Sequence, residues 1–170
     1  MLPNQETQTP DPLTPYSAAK VFGENLARVY YNLYGLKTIS LRYFNVYGDR
    51  QPLKGQYAPV IGLFLKQRGN GVPLTIVGDG SQRRDFTNVS DVVDANILAS
   101  EIDCGFGEMY NIGYGNNYSI LEIANMISSN IEFIPPRIGE VQETLASNLK
   151  FKSLTGWTPK ISLMDWIQND

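Results

Sequence analysis

Tyr16 and Lys20 stand four residues apart in the run Pro15-Tyr16-Ser17-Ala18-Ala19-Lys20. On a helix this spacing sets a phenol and an ammonium side by side on one face. A fixed positive charge nearby favours the phenolate, which suits Tyr16 to general acid/base work, while the lysine also reaches a bound polar cofactor. The same pair is what an ordinary helix surface carries, with the tyrosine packed and the lysine solvated. Arg84 and Arg137 form a second candidate pair, each in an apolar context, and two guanidiniums match a diphosphate better than other side chains do. Local ion pairs, Arg84 with Asp85 and Arg137 with Glu140, are the competing reading.

Composition narrows the chemistry. The 170 residues contain no His and a single Cys, Cys104. That excludes thiolate and imidazole metal sites and every Cys/His or Ser/His catalytic arrangement, so no metal is expected. A formal charge of -3 with scattered cations argues against a nucleic-acid or anionic-membrane surface. One cysteine, no recognisable leader and no long apolar run point to a soluble cytoplasmic protein. Asn88-Val89-Ser90 and Asn117-Tyr118-Ser119 match the glycosylation pattern and are read as coincidence.

The elements that must position these groups follow from pattern. Residues 1–15 hold four of the ten prolines, a loop composition. Thr14 as N-cap and Pro15 as first helical residue start a helix that runs to Tyr34, with Phe22, Leu26, Val29 and Leu33 as its apolar stripe and Gly35 as its end. Thr38 to Tyr43 alternates as a strand. Phe44-Asn45-Val46-Tyr47-Gly48 then lies at a strand's C-terminal end, where α/β sheets bind ligands. A helix over Val60 to Arg68, a strand over Leu74 to Val77, a turn at Gly78-Asp79-Gly80 and a helix capped by Ser90 follow. Met109 to Ile112 reads as a strand, and Ser119 with Glu122 as a capping box. A strand over Ile131 to Ile134, a helix over Ser147 to Leu154 ended by Gly156, and an amphipathic turn with Leu163, Trp166 and Ile167 complete the chain.

Five ordered motifs carry a resemblance that covers almost the whole chain. They are the Tyr16/Lys20 run; Arg42-Tyr43-Phe44-Asn45-Val46-Tyr47-Gly48; Gly78-Asp79-Gly80 with Arg84-Asp85-Phe86; Tyr110-Asn111-Ile112-Gly113; and Arg137-Ile138-Gly139-Glu140 with Leu154-Thr155-Gly156-Trp157-Thr158-Pro159. The chain resembles the extended short-chain dehydrogenase/reductase family of NAD-dependent sugar-nucleotide epimerases, closest to the UDP-hexose 4-epimerases. The family's Gly-rich dinucleotide fingerprint, its acidic residue for the adenosine ribose and its catalytic Ser or Thr would all precede Tyr16 and are not found. The expectation is therefore the C-terminal half of such an enzyme.

The resemblance implies an α/β fold, a partial Rossmann-like parallel sheet with a smaller mixed α/β substrate-binding lobe. Residues 1–56 and 91–130 would belong to the Rossmann part, and 57–90 and 131–170 to the lobe. It implies Tyr16 as the group exchanging a proton with the sugar O4, Lys20 as the holder of the nicotinamide ribose, and Tyr43 and Phe44 near the NAD site. Asn45 would bind the diphosphate, Arg84 and Arg137 would clamp its phosphates, and Glu140 would stand where a ribose-contacting Asp is usual. Tyr57, Ala58, Val60, Leu74, Thr75 and Ile76 would line the nucleotide pocket, and Thr144, small where some relatives are bulky, would leave room at the sugar C2. NAD as cofactor, a UDP-sugar as substrate and a homodimer built on the helix bearing Tyr16 complete the picture. A sugar-nucleotide 4,6-dehydratase, a uronate epimerase or decarboxylase, and an inactive sugar-nucleotide-binding fragment are the alternatives.

Overall fold

The computed structural model describes residues 2–52, 59–136 and 141–169. Its elements in order are α1 (Pro15–Tyr34), β1 (Ile39–Tyr43), β2 (Val46–Tyr47), α2 (Val60–Gly69), β3 (Leu74–Val77), β4 (Arg83–Asp85), β5 (Thr87–Asn88), α3 (Val89–Glu101), β6 (Glu108–Ile112), β7 (Asn117–Ser119), α4 (Ile120–Ile127), β8 (Ile131–Ile134), α5 (Leu149–Thr155) and α6 (Leu163–Asn169).

Local chemistry sets the ends of α1. Thr14 Oγ1 accepts the Ser17 amide at 3.1 Å and Ser17 Oγ accepts the Thr14 amide at 3.0 Å, a reciprocal cap just ahead of Pro15. Gly35 closes the helix at φ 67°, a left-handed conformation that costs glycine little. The chain then enters β1, which pairs in parallel with β6 in the register Ile39↔Glu108 to Tyr43↔Ile112. Thr38, expected within the strand, instead donates its hydroxyl to Ala27 O at 2.9 Å and fastens helix to strand. Arg42 adds a two-pronged ion pair to Glu24, both bonds 2.7 Å.

The apolar stripe of α1 does not enter the core. None of its residues is buried, and Phe22 and Leu33 are 67% and 68% exposed. Periodicity shows only that a face is apolar; the partly buried positions of α1 are instead Ser17, Val21, Glu24, Ala27 and Tyr31, a mixed face that is tied to the β1 side through Glu24 and the Ala27 carbonyl.

Two cores hold the rest. Val92, Ala95, Tyr110, Ile112, Phe151 and Trp157 pack α3 and α5 on the β1–β6 pair. The larger core gathers Ile61, Phe64, Leu74, Ile76, Ile123 and Leu163 with their neighbours around α2, α4, α6 and the parallel pair β3–β8. Thus α4, from the 91–130 segment, packs in the second core, while Phe151 and Trp157, from the 131–170 segment, pack in the first. Asp91 joins the two: buried at the start of α3, it accepts the Lys160 and Ile161 amides at 2.9 and 3.1 Å, and its carbonyl receives the Trp157 indole at 3.1 Å. β4 runs antiparallel to β7, and β2 parallel to β5.

Asn88, rather than Ser90, caps α3: its side chain accepts the Ser90 amide at 2.9 Å. Both residue types cap well, and Asn88 wins because it is the last residue of β5, still extended at φ -66° and ψ 142°. Asn88 and Asn117, both in glycosylation-like triplets, are buried. Among the described residues, no helix is long and apolar enough to cross a membrane.

The cap of α4 gives a pH-dependent prediction. Ser119 Oγ accepts the Glu122 amide at 3.0 Å, and Glu122 returns a bond to the Ser119 amide at 2.6 Å. That amide, with Arg83 at 3.2 Å, holds the Glu122 carboxyl below its ordinary value of 4.5. Its contribution to stability is therefore complete above pH 4.5 and lost as pH falls through the lowered folded value. Ser119→Ala is expected to cost about 0.5–2 kcal/mol in urea unfolding. Glu122→Gln is expected to flatten the acid limb of the unfolding midpoint below pH 4.5; an unchanged acid limb contradicts the assignment.

Candidate functional site

Tyr16 and Lys20 lie in the first two turns of α1, with Lys20 Nζ 5.3 Å from the Tyr16 ring centroid. Tyr16 is 61% exposed, so the phenol is accessible to a ligand. The strand that follows this helix delivers the next group. Phe44 extends the β1 ladder by one bond, its amide 3.1 Å from Ile112 O, and Tyr43 donates its hydroxyl to Asn96 Oδ1 at 2.9 Å. Asn45 then turns the chain at φ 29°, a region few residues other than glycine enter, although asparagine is among the tolerant ones.

The Asn45 side chain reaches across to β4. Its Nδ2 donates to Asp85 O at 2.9 Å and to Thr144 Oγ1 at 3.4 Å, and Asp85 N donates to the same hydroxyl at 3.3 Å. Asn45 and Thr144, 99 residues apart, are thereby brought together at Asp85. Arg84 precedes Asp85 on β4 and projects from the opposite side of the strand. Its NH1 donates to Arg83 O at 2.8 Å and to Gln142 O at 3.4 Å. Residues 142–144 run along β4, with Arg83 N bonded to Gln142 O at 2.9 Å and Thr144 N to Arg83 O at 3.1 Å.

Asp85 is not the local partner of Arg84 that adjacency suggested. It is fully buried, and its carboxylate accepts the amides of Tyr114, Gly115 and Ala146 at 2.9, 3.0 and 2.9 Å. Burial pushes this carboxyl up from the usual range, opposed by those three amides. Gly113 leaves the space for it: a Cβ there would overlap that of Ala146 and come within 3.1 Å of Asp85 Oδ2.

The expected pocket residues divide by exposure. Leu74 and Ile76 are fully buried on the core side of β3, and Val60 packs on the same core. Thr75 is partly exposed and fastened to Gln67 by two bonds, 2.9 and 3.1 Å long. Tyr57, Ala58, Arg137 and Glu140 lie outside the described residues.

Sequence reasoning passed over the opening segment, read as plain loop. Asn4 bonds through its amide, carbonyl and side chain to Leu145 and Ser147. Its carbonyl also accepts the Asn111 side chain at 2.9 Å, while Glu6 accepts the Asn111 amide at 2.8 Å. The available signal was Asn111 itself, an amide inside an apolar strand that needs partners once buried.

A parallel β1–β6 pair with α1 leading into it, a turn at Asn45 just past the C-terminal end of β1 and a Tyr–Lys pair on the helix define an α/β protein of the Rossmann type. The chain belongs to the NAD dependent epimerase/dehydratase family, whose model matches residues 2–113. It is 35% identical to a UDP-glucose 4-epimerase of Mycolicibacterium smegmatis over 171 residues, covering 97% of this chain and 54% of that protein. The crystal structure of UDP-glucose 4-epimerase from Thermotoga maritima with UDP-glucose superposes with a TM-score of 0.93 at 35% identity, over 99% of this chain and 55% of that one. UDP-glucuronic acid 4-epimerase from Bacillus cereus, in complex with UDP-glucuronic acid and NAD, superposes with a TM-score of 0.89 at 35% identity, over 98% and 54%. The chain thus spans about half the length of the relatives it matches.

The residues present fit one end of NAD. The exposed Tyr16–Lys20 pair offers a hydroxyl and an ammonium side by side, a match for the hydroxyl pair of a ribose. No Gly-x-Gly-x-x-Gly run occurs in the sequence to cradle a pyrophosphate on a helix N-terminus.

Proposed function

We propose that this chain is the catalytic-helix and sugar-nucleotide half of an NAD-dependent 4-epimerase acting on a UDP-hexose. The observation that carries the reading is the succession of α1, β1 and Asn45: one continuous segment bears the Tyr16–Lys20 pair and ends in an amide bonded to β4, the strand of Arg84.

In this reading Tyr16 takes the proton of the sugar O4 hydroxyl and returns it after the C4 centre has turned over. Lys20 binds the ribose hydroxyls at the nicotinamide end and so orients the ring toward C4. NAD, when bound, supplies the two-electron acceptor that C4 oxidation and its reversal require. Tyr43 and Phe44 border that end. Asn45, Arg84 and Arg137 hold the diphosphate, with Glu140 on the uridine ribose and Tyr57, Ala58, Val60, Leu74, Thr75 and Ile76 along the nucleotide; the burial of Leu74 and Ile76 leaves that contact to the backbone and Thr75. Thr144 leaves room at the sugar C2, which suits an N-acetylated hexose as well. The exposed stripe Phe22, Leu26, Val29 and Leu33 supports a homodimer that buries α1.

Calorimetric titration of the 170-residue chain tests the division of labour. UDP-glucose is expected to bind and NAD to show no tight binding, because the pyrophosphate cradle is lacking. A micromolar NAD dissociation constant, or the absence of any UDP-glucose binding, overturns the proposal.

A further inference from the structure

The geometry points to Asp85 as the positioning residue of the sugar-nucleotide site, gathering three backbone amides from two other segments so that the β4 backbone can hold Asn45 and present Arg84. The inference rests on the function proposed above and goes beyond it, because Asp85 itself meets no ligand.

Its side chain and main chain do different work. The carboxylate binds the Tyr114 and Gly115 amides after β6 and the Ala146 amide before α5. The main chain binds the site: Asp85 O receives Asn45 Nδ2 at 2.9 Å, and Asp85 N shares the Thr144 hydroxyl with Asn45. Asn45 needs such support, since a non-glycine residue at φ 29° persists only where its surroundings over-determine it. A carboxylate is the group that fits, with four lone-pair sites and no donor to oppose three N–H groups. Asparagine would turn an NH₂ toward one of those amides. A neutral, apolar filling would serve packing alone at less cost than a buried anion, so the anion answers to the amides that it organises.

The test uses the isotopically labelled 170-residue chain. In the ligand-free protein, the Asn45 side-chain amide is expected to exchange with solvent at least about tenfold faster in Asp85→Asn than in the parent, while the backbone spectrum of α1 and β1 is kept. UDP-glucose is expected to bind the variant at least about tenfold more weakly. A role in packing alone lowers the unfolding midpoint and leaves both readings of the folded protein unchanged. Unchanged Asn45 exchange, or a dissociation constant within about twofold of the parent, overturns the inference. Should Asp85→Asn fail to fold, Thr144→Val removes only the hydroxyl between Asp85 and Asn45, and faster Asn45 exchange is again expected; unchanged exchange overturns it. If the parent itself takes up no UDP-glucose, the proposed function falls, while the Asn45 exchange still decides the role of Asp85.

Discussion

Replacing Tyr16 by Phe is expected to lower turnover of the complete enzyme by ~10²–10⁴, leaving UDP-sugar binding within about twofold of the parent. The variant keeps the ring and its place beside Lys20 and removes only the oxygen to which the proposed function gives the proton exchange with the sugar O4. At the level of the barrier this is about 2.7–5.4 kcal/mol, more than any packing contribution of a hydroxyl on a side chain that is 61% exposed. Steady-state rates with dissociation constants measured on the same preparations separate the two effects. A variant retaining more than about half of the parent turnover removes Tyr16 from the chemistry.

Arg84→Ala is expected to act on binding instead. Losing a charged hydrogen bond to phosphate costs roughly 1.5–3 kcal/mol, or about 10–150-fold in the dissociation constant of UDP-glucose. The bonds from Arg84 NH1 to the Arg83 and Gln142 carbonyls fix the guanidinium along the β4 edge, the preorganisation a phosphate clamp needs. Arg84→Lys keeps the charge but not the planar fork, and is expected to recover only part of the affinity. If Arg84 serves the local structure alone, Arg84→Ala shifts the unfolding midpoint and leaves the dissociation constant unchanged.

Much of the fold was legible because its signals are local. Thr14-Pro15 and Gly35 bound α1 where the structure bounds it, and alternation located β1. Ser119 and Glu122 form the expected reciprocal cap. What was illegible depends on contacts distant in the chain. The bonds between Asn4 and Leu145 join residues 141 apart and leave no local pattern, so a proline-rich opening looked like a loop and nothing more. The stripe on α1 has the same periodicity whether it meets the core or another surface, and only the contacts of Glu24 and Ala27 with the β1 side settle which.

The candidate site divides in the same way. Tyr16 and Lys20 were readable from spacing, and the structure sets them side by side. Asp85 was legible only as a neighbour of Arg84. Strand alternation sends adjacent side chains to opposite faces, which turned Asp85 inward to the amides of Tyr114, Gly115 and Ala146. The sequence shows only the small size of Thr144, whereas its hydroxyl accepts from both Asn45 and Asp85 and so links them in the candidate site.

The proposed function is put to the test by incubating this chain, joined to the NAD-binding half that the proposal requires, with UDP-glucose and NAD and identifying the product by NMR. The expected product is a mixture of UDP-glucose and UDP-galactose, inverted only at C4, with no net reduction of NAD. A 4-keto-6-deoxy product, or no turnover of UDP-glucose or its N-acetylated analogue while the sugar nucleotide binds, would contradict it.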